Sequence, residues 1–152
     1  MTETIDSQPS GLQQVQALLM GGIQPPFGRK MGVSLVEADY GHAVFEAAPD
    51  SSDYNPMGTV HGGYISALLD SACGIAAHTA LKPGNAYTTL ELKVSFLRPL
   101  SERSGTVRAV GKLLSIGRRA AFTEATLHDG AGKLCATATS TLLVFETPAR
   151  SR

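Results

Sequence analysis

Residues 61–81 read HGGYISALLDSACGIAAHTAL, and this stretch decides the fold. From Tyr64 to about Leu81 it is Ala, Leu, Ile, Cys and Ser, apolar nearly all the way round. A helix of that composition is buried on every side rather than laid on a surface. Lys82-Pro83-Gly84-Asn85 ends it. Ser66, Asp70, Ser71, His78 and Thr79 interrupt the apolar run, and an acid at its centre argues against a membrane span.

Downstream the pattern changes to strands. Leu90, Leu92, Val94 and Phe96 alternate with Glu91, Lys93 and Ser95. Strands follow over residues 106–114 and 120–128, and the turn Asp129-Gly130-Ala131-Gly132 leads into a last one over 133–145. Upstream, 31–38 and 43–48 read as two strands around Tyr40-Gly41-His42, and 49–58 is a loop by composition. Leu12, Val15, Leu18 and Leu19 mark a short amphipathic helix ended by Gly21-Gly22, after which Pro25-Pro26 predicts an extended link. One buried helix among about six antiparallel strands is an α+β domain whose sheet curls around the helix. Residues 1–30 form an N-terminal segment, 31–146 the domain, and 147–152 a tail expected to fray.

Composition narrows the function. The chain has 152 residues, with Lys+Arg and Asp+Glu balanced at 13 each and no Trp. A nucleic-acid binder carries a positive excess and stacking aromatics, so that class is disfavoured. Cys73 and Cys135 are too few for a disulfide framework, and neither has an electropositive neighbour in sequence to make a nucleophile of it. No His or carboxylate stands near His61 at metal-ligand spacing, and no nucleophile-elbow, phosphate-loop or dinucleotide motif is present. Met1 to Ser10 is polar, without the basic start and apolar core of a secretory signal, so a soluble cytoplasmic protein is expected, with no membrane and no nucleic-acid partner.

Chemistry concentrates around the start of the buried helix. Gly62 and Gly63 stand where the first turn leaves N–H groups unpaired and the helix dipole is positive. Such donors can hold the oxygen of a carbonyl that becomes an oxyanion during acyl transfer, or the glycines serve only tight packing. Asp70, flanked by Leu68, Leu69, Ala72 and Cys73, is costly to bury unless paired or used, as a general base or nucleophile. Asn55 can hold a carbonyl or a water, or form an Asx-turn ahead of Pro56. His61 directly precedes the helix, where a capping or loop-fixing bond is favoured over general-base work. Arg118-Arg119, after Gly117, suits phosphate contacts or is simply solvated.

Gly62 and Asp70 are eight positions apart, about 12 Å along one helix. One carbonyl carbon cannot approach Asp70 while its oxygen rests on the Gly62 amide of the same chain. Two chains in an antiparallel pair would place the Asp70 of one opposite the Gly62 of the other. A homodimer is therefore expected wherever both groups act on one bond.

At these residues the sequence resembles the hotdog-fold acyl-CoA thioesterases, in particular the PaaI-like and Arthrobacter-type 4-hydroxybenzoyl-CoA branch. The resemblance runs from about Gly32 to Phe145 and rests on Asn55…His61-Gly62-Gly63…Asp70, on Phe96-Leu97-Arg98-Pro99, and on residues 131–136. It implies a hotdog domain over 31–146, a dimer and commonly a homotetramer, and hydrolysis of acyl-CoA thioesters without metal or cofactor. Coenzyme A enters only as part of the substrate, and an aromatic acyl group such as hydroxyphenylacetyl or hydroxybenzoyl is implied. Carried over, Asp70 would be nucleophile or base, and the Gly62 amide would polarise the carbonyl beside Gly63. Asn55 would position carbonyl or water, His61 would brace the loop, and Thr89, with Thr88 as its rival, would orient water. Arg118 and Arg119 fall where the family contacts the CoA nucleotide. The Arthrobacter-type enzyme has Glu at Asp70, Gln at Asn55 and a helix threonine at Gly74, so the match is nearer to PaaI. The competing readings are a hotdog acyl-CoA hydratase or dehydratase using His61, and a non-catalytic acyl-CoA-binding protein.

Overall fold

The computed structural model describes residues 8–148. Two short helices, α1 (Gly11–Met20) and α2 (Pro26–Met31), precede strands β1 (Val33–Asp39) and β2 (His42–Ala47). The long helix α3 (Gly62–His78) follows, then β3 (Asn85–Phe96), β4 (Val107–Ile116), β5 (Ala120–His128) and β6 (Leu134–Glu146). The six strands form one antiparallel sheet in the order β1-β2-β4-β5-β6-β3. The sheet curls around α3 as the composition of 61–81 requires.

The expected α1 is present, with a capping box between Ser10 and Gln13 at its start and Gly21 at its end. The expected extended link after Pro25 is instead α2. Pro26 occupies its first helical position, where a missing N–H costs nothing, and Pro25 alone stays extended. Gly32, at φ 66°, ends α2 and delays β1 to Val33. The helical ladder of α3 stops at His78, and tighter bonds carry the turn on to Leu81. Buried Thr79 locks this end: its hydroxyl donates to the Ala76 carbonyl and accepts from the Gly41 amide in the β1–β2 turn. Thr147, assigned to a fraying tail, is pinned to the Gly84 carbonyl through both its amide and its hydroxyl; 149–152 and the polar start 1–7 lie outside the described residues.

Leu68, Leu69, Ala72, Cys73, Ala76 and Ala77 of α3 are fully buried against the sheet. The closest approach is to β4, where a Cβ on Gly111 would run into the Ala72 carbonyl. Burial does not extend all the way round, however. Ser66, Ala67, Asp70, Ser71 and Ile75 form a half-exposed stripe that the sheet does not fully cover.

The alternation read for β3 breaks at one residue. Thr89 lies opposite Leu142 and Glu91 opposite Thr141, so Leu90 is the extra residue of a β-bulge and is 61% exposed. Above the bulge the inward parity changes: Leu92 and Val94 face α3 on one side of it, Thr89 and Tyr87 on the other.

Candidate active site

A cavity of about 540 Å³ opens on the half-exposed stripe of α3. Leu68, Ile75, Leu35 and Phe45 wall it from the core, and Leu18, Ile23, Phe27 and Met31 close it from α1, α2 and the link between them. Asp70 and Thr89 stand together in this apolar setting. The Thr89 hydroxyl donates to Asp70 Oδ1 at 3.0 Å, and Oδ2 has no partner among the described residues. Thr88 also borders the cavity, but it is exposed, faces away from α3 and makes no side-chain hydrogen bond among the described residues. The bulge at Leu90 is what brings Thr89 rather than Thr88 to the carboxylate.

The start of α3 is built differently. Asn55 forms the Asx-turn: its Oδ1 accepts from the Met57 and Thr59 amides at 3.0 and 3.2 Å, and its Nδ2 donates to Thr59 Oγ1 at 3.0 Å. His61 Nδ1 accepts from the Gly63 amide at 2.8 Å, capping the helix and leaving the ring proton on Nε2. The His61 amide donates to the Asp53 carbonyl and the Val60 amide to the Leu100 carbonyl, each at 2.8 Å, so the loop is pinned from both sides. With the Gly63 N–H consumed, the Gly62 N–H is the helix-start donor without a partner among the described residues. The Phe96 ring lies against it, 3.2 Å from where a Gly62 Cβ would stand.

The predicted site residues therefore fall into separate groups on one chain. Asp70 and Thr89 share the cavity, while Asn55, His61, Gly62 and Gly63 do not border it. Arg118 and Arg119 are exposed in the β4–β5 turn and do not border the cavity, whereas Arg108, at the opposite end of β4, is held by Glu37 and Glu46. Tyr64 belongs to the core: its hydroxyl donates to the Met31 carbonyl at 3.2 Å, and burial pushes its pKa up to about 12. Burial likewise pushes the Cys73 thiol up to about 11 and raises that of Cys135, which keeps both protonated near neutrality. Among the described residues no three of His, Cys, Asp and Glu cluster as metal ligands, and no helix is long and apolar enough to cross a membrane.

Sequence reasoning missed the closure of the cavity by α1 and the α1–α2 link, and it missed Tyr87, which borders the cavity two residues before Thr89. Ile23 and Phe27, large apolar residues flanking Pro25-Pro26, were the available signal for the first. A helix wrapped by a six-stranded antiparallel sheet, with a carboxylate at its middle and an unpartnered amide at its start, is the hotdog arrangement. Consistent with that, a family model described as "Thioesterase superfamily" matches residues 57–136, and the chain belongs to that superfamily. By class it is a thioester hydrolase.

Relatives agree. An esterase-named protein of Saccharolobus solfataricus is 34% identical over 88 residues, which cover 58% of this chain and only 57% of that one. The 1,4-dihydroxy-2-naphthoyl-CoA hydrolase of Listeria monocytogenes is 26% identical over 114 residues, 75% of this chain and 91% of the relative. Among solved structures, a thioesterase family protein from Silicibacter pomeroyi superposes with a TM-score of 0.79 at 26% identity, covering 91% of this chain and 100% of that one.

Proposed function

We propose that this protein hydrolyses acyl-CoA thioesters with apolar, preferentially aromatic, acyl groups, and that two chains build each reaction centre. The observation that carries the reading is the division of the site. A carboxylate with one free oxygen faces an apolar chamber, and the unpaired helix-start amide stands two turns away on the same helix. The acyl group fills the chamber and the carbonyl carbon rests beside Asp70. Its oxygen points to the Gly62 N–H of a second copy, where the positive end of the dipole favours developing negative charge.

In the general-base route Asp70 takes a proton from water and the water oxygen attacks the carbonyl carbon. The tetrahedral oxyanion is held by the Gly62 amide, the C–S bond breaks, and the thiolate leaves to be protonated. In the nucleophilic route Asp70 Oδ2 attacks the carbonyl carbon first, the C–S bond breaks and the thiolate leaves, giving a mixed anhydride that water opens at the Asp70 carboxyl carbon. Single turnover in ¹⁸O-water distinguishes this course from the general-base route, since it leaves label in the enzyme's carboxylate and the general-base route puts label only in the product acid. Thr89 fixes the carboxylate in either route, and neither draws on a cofactor. The preference for an aromatic acyl group is supported by Phe27 and Phe45 in the walls and by the naphthoyl-CoA substrate in the Listeria relative's name. A cytoplasmic setting belongs to the same proposal, since two buried, unpaired thiols suit a reducing compartment. The hydratase reading lacks support, because the His61 Nδ1 is spent on capping and no carboxylate pairs with its ring.

The test is thiol release from a panel of aryl and straight-chain acyl-CoA esters, combined with subunit mixing. Asp70→Asn and Gly62→Pro proteins, each inactive alone, should recover about a quarter of wild-type activity when their subunits are exchanged, because each mixed dimer has one intact centre. No release from any ester would sink the reading, and no recovery on mixing would sink the two-chain centre.

A further inference from the structure

β3 returns along α3, so that Phe96 lies by Gly62, Thr89 by Asp70, and Tyr87 by Gly74 and His78. Beyond Tyr87 is a second cavity of about 590 Å³, lined by Gln14, His78, Asn85 and Thr147 among others. Tyr87 borders both this cavity and the chamber that holds Asp70, and among the described residues no other does. The side chain is held as a partition. A Cβ on Gly74 would lie 2.5 Å from the Tyr87 hydroxyl, so the ring occupies space that only a glycine on α3 leaves open. The His78 ring meets it edge-on, with centroids 5.8 Å apart and planes at 81°. Gln14 Oε1 in turn fixes His78 Nε2 at 2.8 Å. Burial, and then the charge of Asp70, pushes the phenol up to about 12, so it stays neutral in the chamber.

From Asp70 to Gly74 the helix advances about 6 Å. An acyl group whose carbonyl sits at Asp70 and which runs toward Ile75 meets the Tyr87 ring one turn later. We infer that Tyr87 is the acyl-length stop of this enzyme, a ring that divides one long channel into a reaction chamber and a closed-off continuation. The inference rests on the acyl-thioester reading for the identity of the ligand, and on Gly74, His78 and Gln14 for the rigidity of the stop.

Binding of non-hydrolysable S-alkyl-CoA thioethers of rising straight-chain length tests it without requiring turnover. For wild type, affinity should rise roughly fourfold per added methylene until the chamber is full, then fall. In Tyr87→Ala the rise should continue past that length, giving roughly tenfold tighter binding than wild type to the first chains beyond it. Tyr87→Phe should keep the wild-type limit, since the ring and not the hydroxyl is the stop. Tyr87→Leu, which keeps apolar fill, serves if the alanine variant is unstable. The same limit in wild type and in the shortened variants, or a shifted limit in Tyr87→Phe, would overturn the inference. Absence of wild-type thiol release with the thioether limit still moved would remove the hydrolase reading and leave the stop standing; thiol release with coincident limits would do the reverse.

Discussion

At the start of α3 almost every polar group is already engaged. Asn55 is tied into its own turn, His61 caps Gly63, and the helix-start backbone donor left without a partner among the described residues is the Gly62 N–H. Two turns along the same helix, Asp70 has a single partner, a free oxygen and an apolar chamber before it. On the proposed reading the first region would serve as a rigid donor that needs no reorganisation when charge develops, and the second as a base or nucleophile with room to act. A helix of one chain cannot offer both to one bond, so the contrast between its ends is itself the reason to expect pairing.

The comparison breaks most visibly at Asp70. Asp70→Asn keeps the shape and removes the proton acceptor, and kcat for acyl-CoA hydrolysis should fall by about 10³-fold, within the range for a general base. Gly62→Pro removes the N–H and adds a ring beside Phe96 without breaking the helix, because proline is accepted at the first position of a helix and His61, at ψ 134°, already has the extended backbone that proline requires before it. It should cost about 10²-fold in kcat, while Gly62→Ala, which meets the same Phe96 ring but keeps the N–H, should cost far less. Thr89→Val removes the bond to Asp70 and should lower kcat/KM by roughly tenfold, with Thr88→Val near wild type. The smallest effects belong to the loop. Asn55→Asp keeps the acceptor for Met57 and Thr59 and should retain most activity if the side chain only shapes the loop, whereas Asn55→Ala should lower unfolding stability by about 1–2 kcal/mol in denaturant titration.

Much of this was legible before any coordinates. The apolar character of 61–81 announced the buried helix and period-two patterning marked β4, β5 and β6, while the eight-residue spacing of Gly62 and Asp70 is the ground for proposing a second chain. What escaped was whatever depended on one residue or on distant packing. Pro25-Pro26 was read as two breakers, although the second was a helix start. The alternation of Leu90, Leu92, Val94 and Phe96 concealed the bulge, because an inserted residue leaves no mark on composition. The residue type of Asn55 leaves two uses open, and its hydrogen bonds show the Asx-turn. The pairing of Gly74 with Tyr87 joins residues 13 positions apart on different elements, and nothing local hints at it.

The bulge also bears on how this strand can change. Since the partners on either side of Leu90 are consecutive, excising that leucine would restore an unbroken ladder and leave Thr89 and Tyr87 aimed as they are. Losing or gaining a residue anywhere else in β3 would turn one end of the strand inside out. Homologous chains may thus differ in length by one here and still present the same hydroxyl to the carboxylate, and an alignment that counts positions across this point will assign it to the wrong threonine.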